Sequence, residues 1–396
     1  MPHTPPFSIL VIARNEAHTL PRLAESLRDC LAAGVELIVI DTGSEDETAQ
    51  VARGLGARVE LAGDRFHSTL TADEAAAIDR RFARGGEAPL VEAGQRLFDY
   101  GRARQFASER ASHDFVWHID ASDVLLSVDL DFLAHTVRSG RAHSLSYFLE
   151  AGPSRFRVAR FFDRRRFAWR GRVHELPVGI GGAAAAGMRV ECSDAQLSLR
   201  HIHGQKTRTY VAGLAVMAME DPEAPRWMHY LGRELRFAGR YRSAIGALRG
   251  ACRLSGTWAG MRSRSLDVTG QCWEALDRPA AAAACYSKAA RLDLSRRQPL
   301  LRLASLLQRR GDFQQSVAFA AAALTLPQSN AYVDAAENHP ADPHALLYWG
   351  LFWLGRREEA RTHWEICRRL APDDECYARD ARLFTATEAD GPTRPV

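Results

Sequence analysis

No apolar run in this sequence approaches the roughly 20 consecutive residues that a membrane-spanning helix needs, so any membrane association is expected to be peripheral. The seven cysteines (Cys30, Cys192, Cys252, Cys272, Cys285, Cys367 and Cys376) contain no CxxC pair. An odd, unclustered set with no signal-peptide pattern ahead of the first strand reads as reduced thiols in a cytoplasmic protein. Net charge is also scarce. A formal +4 over 396 residues argues against a chain built wholly for nucleic acid, while leaving room for a local basic patch. That length exceeds what one core usually holds, and two domains are expected.

What the chain does have is a run of buried-strand character, FVWHIDASDVLL at Phe115 to Leu126, that stops at Asp120 and meets a second acid at Asp123. Open α/β sheets place their ligand crevice at the carboxyl ends of such strands. Two acids at that mouth suit a hard divalent cation carrying phosphate oxygens, and an acidic turn after a strand is the plain alternative.

Upstream, the pattern is strand, helix, strand, helix, strand, which predicts a Rossmann-like half. Phe7 to Ala13 is an apolar strand broken by Arg14-Asn15-Glu16, and a helix is expected from about Ala17 to Cys30. Leu37 to Ile40 is a second strand ending at Asp41-Thr42-Gly43-Ser44. Ser44 with Glu47 has capping-box spacing for the helix to Leu55. Arg58 to Leu61 is the third strand, and Asp41 is expected to face the same crevice as Asp120. Residues 65–97 read as an insertion with a helix from Ala72 to Arg84 and a turn at Gly85-Gly86. The helix Phe98 to Ala111 carries Asp99, Arg102 and Arg104 near its start, cations that suit a diphosphate or simply a solvated face.

After Asp123 the sequence predicts a helix from about Val128 to Arg138 and a strand from His143 to Leu149. Arg155 to Glu175 is the most basic piece, alternating arginine with aromatic and aliphatic residues as a strand with one basic face would, and ending in His174-Glu175. Gly179 to Gly187 reads as a mobile lid. Leu197 to His203 is a last strand on which His201 and His203 share a face. Beyond Thr207, small residues recur at helical spacing (Gly232, Ala244, Gly270, Ala282, Gly311, Ala323, Gly355, Ala360). About four helical hairpins resembling tetratricopeptide repeats are expected, with the interval stretched by Leu326 to Asp342. The expected division is 6–205, 206–384 and a disordered tail at 385–396.

Taken together, SILVIARNE, VIDTGSEDET, FDYGRARQ, HIDASDVL and GRVHE, in this order, resemble the family 2 glycosyltransferases. The resemblance implies an α/β GT-A domain, Rossmann-like with a mostly parallel sheet, followed by an all-α repeat domain. That combination is similar to bacterial and phage peptide S- or O-glycosyltransferases.

It further implies a nucleotide-diphosphate sugar donor, usually a uridine (UDP) sugar, and inversion at the sugar carbon. By position, Ala13, Asn15, Glu16, Asp41 and Thr42 would line the nucleotide. Asp120, Ala121 and Ser122 occupy the DxD motif, with Arg102 and Arg104 beside the diphosphate. Ser122 departs from the motif by replacing its second acid. Mg²⁺ or Mn²⁺ would then rest on Asp120, on Asp123 turned inward, and on His203 or alternatively His201. The alternative is neutralisation by Arg102, Arg104 and the Arg164 to Arg166 run. Glu175 is the implied general base, with His174 as its substitute or orienter.

The acceptor expected is a peptide or protein positioned by the repeats, which also offer a surface for a homodimer. Modified DNA bases, reached through the arginine strand, and a lipid-linked glycan are alternative acceptors. A non-catalytic GT-A and repeat scaffold is the alternative outside enzymology.

Overall fold

Strands that are apolar at nearly every position form where both faces of a sheet are covered. β1 (Phe7–Ala13) meets this condition: Phe7, Ile9, Val11 and Ala13 pack with Leu20, Leu23, Leu27 and Ala52 on one face, and Leu10 packs with Ala103 and Ala107 on the other. The computed structural model describes residues 5–152, 154–182, 187–202, 210–326 and 341–385. It divides into two units, Met1–Arg80 with Pro89–Met217 and Arg81–Ala88 with Ala218–Val396.

In the first unit, β2 (Glu36–Asp41), β3 (Arg58–Leu61) and β6 (Phe115–Asp120) run parallel to β1 in the order β3-β2-β1-β6. The small ribbon β4 (His67–Thr69) with β5 (Arg96–Phe98) stands apart from this sheet. Beyond β6 the sheet turns mixed: β9 (Ser154–Asp163), β8 (Ser144–Ala151), β13 (Leu197–His201) and β7 (Asp123–Val128) follow in that order, with β12 (Arg189–Glu191) against β8. β7 starts only two residues after β6 ends, yet three strands separate them in the sheet. The mixed part of the sheet therefore curls into a half-barrel, with the Ala121-Ser122 turn joining β6 to the edge strand β7. Trp117, Leu125, Tyr147, Phe161 and Leu199 fill its interior.

The structure differs from the sequence reading at several elements. The first helix is broken at Leu27 into α1 (Leu20–Ser26) and α2 (Arg28–Ala32). Ser26 Oγ donates to Leu23 O at 2.7 Å and accepts from Leu125 N, a side-chain bond that competes with helix continuation. The Ser44–Glu47 capping box does not form. Ser44 Oγ accepts from Asn15 N at 3.0 Å, and Asp46 Oδ1 takes the Thr48 N–H at the start of α3 (Thr48–Gly54). The segment through Val128 is strand β7, and the helix begins only at Leu130, where Asp129 accepts from Phe132 N at 2.9 Å. The basic stretch is likewise interrupted at Arg164 to Arg166 between β9 and the hairpin of β10 (Phe167–Arg170) with β11 (Leu176–Gly179).

In the second unit, Pro225–Phe237 pairs with Tyr241–Arg253, Ala259–Ala275 with Pro279–Leu292, Gln298–Arg309 with Phe313–Leu324, and Asp342–Trp353 with Arg357–Leu370. These four hairpins match the expected number among the described residues. Each turns through one left-handed residue, Gly239, Asp277, Gly311 or Gly355. Small residues sit where helices cross: a Cβ on Gly270 would lie 2.4 Å from the Tyr286 ring, and one on Gly232 would lie 2.4 Å from Leu248. Glu87, on the 81–88 segment, accepts from the backbone N–H groups of Arg242 and Ser243 at the first turn of its helix, where a carboxylate is favoured. Most of Leu326 to Asp342, part of the Gly179 to Gly187 loop and the tail beyond Thr385 lie outside the described residues.

Candidate functional site

Three strands deliver polar groups side by side at their carboxyl ends. Ala13 on β1 is in register with Asp41 on β2, and Ile12 is in register with Asp120 on β6. Asp41 and Asp120 thus flank β1, about 10 Å apart at ordinary strand spacing. Asp41 Oδ1 accepts from Gly43 N and Ser44 N at 2.9 and 2.8 Å, so this carboxylate shapes its own loop. Thr42 closes onto β1 through Oγ1 to Ala13 O at 3.0 Å. Asn15, at φ 56°, accepts from Glu45 N with its side chain, while Glu16 N donates to Thr48 Oγ1. The loops after β1 and β2 are thereby stitched into one wall.

After α4 (Ala72–Phe82), α5 (Tyr100–Arg110) packs against β1 and β10, capped by Asp99, whose Oδ1 accepts from Arg102 N. Arg104 and Ser108 stand one helical turn apart, a rise of about 6 Å. His118 and Asp120 share a strand face about 6.7 Å apart. The two spacings match, and the pairs meet: Arg104 Nη2 donates to Asp120 Oδ1 at 2.5 Å, and Ser108 Oγ lies 2.8 Å from His118 Nε2. Arg102, two residues from Arg104, projects from the opposite side and is exposed, away from the acids.

Arg104 also donates through Nε to Glu175 Oε1 at 2.8 Å, and Arg160 from β9 takes Asp120 Oδ2 at 2.6 Å. What brings Glu175 there is a backbone contact between α5 and the loop after β10. Tyr100 N donates to Arg172 O at 2.8 Å, and a Cβ on Gly101 would sit 2.2 Å from Gly171 O. Glycine at 101 is what allows this approach. His174, at φ 50°, stands edge-on to Tyr210.

Asp123 does turn inward. It is 2 % exposed, its Oδ2 accepts from Asp120 N at 3.0 Å, and its Oδ1 lies 2.7 Å from His201 Nδ1. His201 is the register partner of Asp123 across β13 and β7, and Ser122 Oγ lies 3.4 Å from its Nδ1. Asp120, Asp123 and His201 each offer a ligand atom within 4.8 Å of the others. His203 lies outside the described residues. The Arg164 to Arg166 run is not part of this cluster: Arg164 donates to His113 O and Ser108 O, and Arg165 pairs with Asp163 and Asp114 at the amino end of β6.

Burial by itself would raise the Asp120 carboxyl, but Arg160 and Arg104 outweigh it and hold Asp120 well below the usual carboxylate range. Asp123 is pushed up, first by burial and then by the charge of Asp120. His201 is raised, chiefly by its hydrogen bond with Asp123. His118 is driven far below its ordinary value by burial and by the Arg104 and Arg160 charges, and as a neutral imidazole it accepts from Trp169 Nε1 at 3.1 Å. Sequence reasoning passed over His118 and Ser108 and took Arg160 and Trp169 only as members of the basic, aromatic stretch. The matched spacing of Arg104/Ser108 with His118/Asp120 was the one available signal.

Among solved structures, the chain is similar to MamA protein (14% identity, 45% of this chain and 86% of that chain, TM-score 0.34), PilF of Pseudomonas aeruginosa (19%, 43% and 71%, 0.36) and YrrB, a TPR protein (16%, 43% and 81%, 0.33). The repeat architecture rests on the hairpins described above. No helix among the described residues is long and apolar enough to cross a membrane. Residues 8–66, which hold β1, β2, β3 and the wall built from Asn15, Asp41 and Thr42, match the family described as Glycosyl transferase family 2.

Proposed function

We propose that the first unit transfers a sugar, with inversion, from a nucleoside-diphosphate sugar of the UDP type to a peptide, protein or other macromolecular acceptor positioned by the helical unit. One observation carries this reading: the acid at the end of β6 and the acid of the GRVHE loop, 55 positions apart in sequence, are held by the two neighbouring N–H groups of one buried guanidinium. In the displacement, Glu175 accepts the proton of the acceptor hydroxyl or thiol as that atom attacks the sugar carbon. The bond from that carbon to the diphosphate oxygen breaks, and the electron pair leaves with the diphosphate. Oε1 of Glu175 is bonded to Arg104, and Oε2 is the oxygen that takes the proton. His174, next in line, positions the loop.

The loops after β1 and β2 suit the nucleotide, with Asp41 and Thr42 on the base and ribose side. Asp120, Asp123 and His201 fit a hard divalent cation, two carboxylates with one imidazole being a donor set for Mn²⁺ or Mg²⁺. Each carboxylate oxygen has two lone pairs, so the arginine bonds to Asp120 leave it acceptor capacity. When bound, the ion supplies charge that stabilises the departing diphosphate by several kcal/mol. Arg104 and Arg160 add fixed positive charge to the same place.

The arginines of the basic strand weigh against a DNA acceptor. Arg155 pairs with Asp194, Arg157 bonds Ser146 O and Cys192 O, and Arg160 serves Asp120, so the strand has little left to track a phosphate backbone. The test is mass-spectrometric release of UDP from a panel of UDP-sugars, with and without a peptide library. Release that is stimulated by peptide and lost in Glu175→Gln supports the reading, and no release from any nucleotide sugar overturns it.

A further inference from the structure

The ribbon of β10 and β11 buries one face and leaves the other open. Phe167 and Trp169 pack inward with Ala103, Ala107 and Phe162. Side chains alternate along a strand, so Ala168 and Arg170 stand on the opposite face. The register sets Ala168 beside Val178 and Arg170 beside Leu176, and Ile180 N donates to Arg166 O at 2.8 Å, which extends the ribbon by one pair. Val178 is 37 % exposed and Ile180 53 %, and Arg166 and Arg170 are exposed as well. The open side of the ribbon thus carries an aliphatic row, Leu176, Val178 and Ile180, across from Arg170, Ala168 and Arg166. None of these six positions holds an acid. Glu175, next to Leu176, is bonded to Arg104 instead.

The same character continues past the open end of the ribbon. Asp163, three residues before Arg166, donates its N–H to His143 O at 2.9 Å, and His143 N donates to Met188 O at 2.8 Å. Met188 is 57 % exposed and is followed by the exposed Arg189, while the exposed Arg141 precedes His143 by two residues. The acids at this end are Asp163 and Asp114. Arg165 engages both, Asp163 through its two oxygens and Asp114 through Oδ2 at 3.0 Å. Scattered exposed aliphatics are ordinary, but a patch of them rimmed by charge marks an interaction surface.

We infer that this face docks on the surface of an anionic lipid bilayer. Guanidiniums offer hydrogen-bond donors and no acceptor, and the aliphatic row offers neither. A peptide laid across the face would leave its own N–H groups without acceptors. A nucleic acid would find cations but no exposed aromatic ring for its bases to stack on, and the aliphatic row would go unused. A bilayer surface answers both rows at once. Its phosphates accept from Arg166, Arg170 and Arg189, and its interfacial layer takes Val178, Ile180 and Met188, with the arginine stems lying along the apolar row. The inference is independent of sugar transfer and adds a place where the first unit is held.

The test is co-sedimentation of the full chain with vesicles, without nucleotide or sugar. Vesicles of phosphatidylcholine alone are compared with an equal-part mixture of phosphatidylcholine and phosphatidylglycerol. The mixture is expected to bind the chain about tenfold more tightly or better. Val178→Ser with Ile180→Ser, and separately Arg166→Gln with Arg170→Gln, are each expected to weaken that binding about tenfold or more, with the melting temperature retained. Ile180→Ser and Arg170→Gln singly, each with a severalfold loss expected, replace a pair that melts early. No binding to the mixture, equal binding to phosphatidylcholine alone, or undiminished binding by either pair would each overturn the inference. Displacement of the bound chain by an oligothymidylate or an acidic peptide of matched charge would overturn it too, by showing a surface for polyanions in general. UDP binding is read separately, so its failure would count against sugar transfer and leave this surface standing.

Discussion

Arg104 holds Asp120 and Glu175 at the same time, Nη2 to one at 2.5 Å and Nε to the other at 2.8 Å. That edge of a guanidinium usually grips one carboxylate with both N–H groups. Here each N–H serves a different acid, which fixes the donor-side acid and the proposed base within the span of one planar group. Arg104→Ala leaves two carboxylates facing each other, with Arg160 on Asp120 as the remaining cation among the described residues. Breaking a buried pair in this way costs about 3–5 kcal/mol. The expected result is a melting temperature lower by several degrees and transfer reduced at least a hundredfold. Arg104→Lys, a point charge without the fork, should restore much of the stability and little of the turnover. Thermal melts and product assays on both variants check this.

Glu175→Gln keeps the shape of the side chain and removes its basicity. General bases contribute about 10²–10⁴ in rate. Transfer should fall by that factor while UDP still raises the melting temperature as in the native chain. Retained turnover would move the base to another residue.

Gly101 is the point at which the helix bearing Arg104 touches the loop bearing Glu175. Gly101→Ala puts a methyl group 2.2 Å from Gly171 O, a backbone atom that cannot swing aside. Overpacking of this kind costs about 1–3 kcal/mol. Melting should drop by a matching amount, and turnover should fall more than stability alone explains, because the separation of the two acids changes. A kcat loss with nucleotide affinity preserved is the expected signature.

Asp123 and His201 give the metal reading its sharpest check. Chelator should suppress turnover and Mn²⁺ should restore it, with Asp123→Asn and His201→Gln each shifting the Mn²⁺ requirement upward by tenfold or more. Full activity in chelator would assign diphosphate neutralisation to Arg104 and Arg160 alone.

Acid stability follows from the buried imidazoles. His118 and His229 titrate far below their ordinary value when folded, so below about pH 6.5 the unfolded chain takes up protons that the folded chain refuses. Each such site lowers stability by up to about 1.4 kcal/mol per pH unit as pH falls. His201 is raised and acts in the opposite sense, its contribution fully present below about pH 6.5 and lost as pH rises through its folded value. His344 and His363 are lowered as well, chiefly by burial, so four depressed imidazoles outweigh one raised imidazole, and melting temperature should decline from pH 7 to 5.5. His118→Gln, which keeps an acceptor for Trp169, should flatten that decline.

Much of this was readable from the chain because apolar runs that end in polar residues mark strands and their carboxyl ends. Asp41, Asp120 and the β-α-β half follow from that rule, and the hairpins follow from small residues at helical spacing. The half-barrel was not readable. DVLL reads as the tail of the run that begins at Phe115 until β13 is available to pair with it as a separate strand, and a sheet's closure depends on partners far along the chain. Arg102 and Arg104 look equivalent in sequence and differ by the side of the helix they occupy. Ser44 and Glu47 have the spacing of a cap, but the Asn15 backbone reaches Ser44 first. In each case a long-range contact overrode a local signal.

The most direct test of the central claim is calorimetric titration of UDP, and of a panel of other nucleoside diphosphates, into the native chain and Asp120→Asn in the presence of Mn²⁺. With Asp41 and Asp120 at the carboxyl ends of the strands flanking β1 and Asp123 bonded to Asp120 N, the proposed function predicts saturable one-to-one binding of a nucleoside diphosphate to the native chain and a loss of at least tenfold in Asp120→Asn. Failure of every diphosphate to bind, or binding that Asp120→Asn leaves unchanged, would contradict the account.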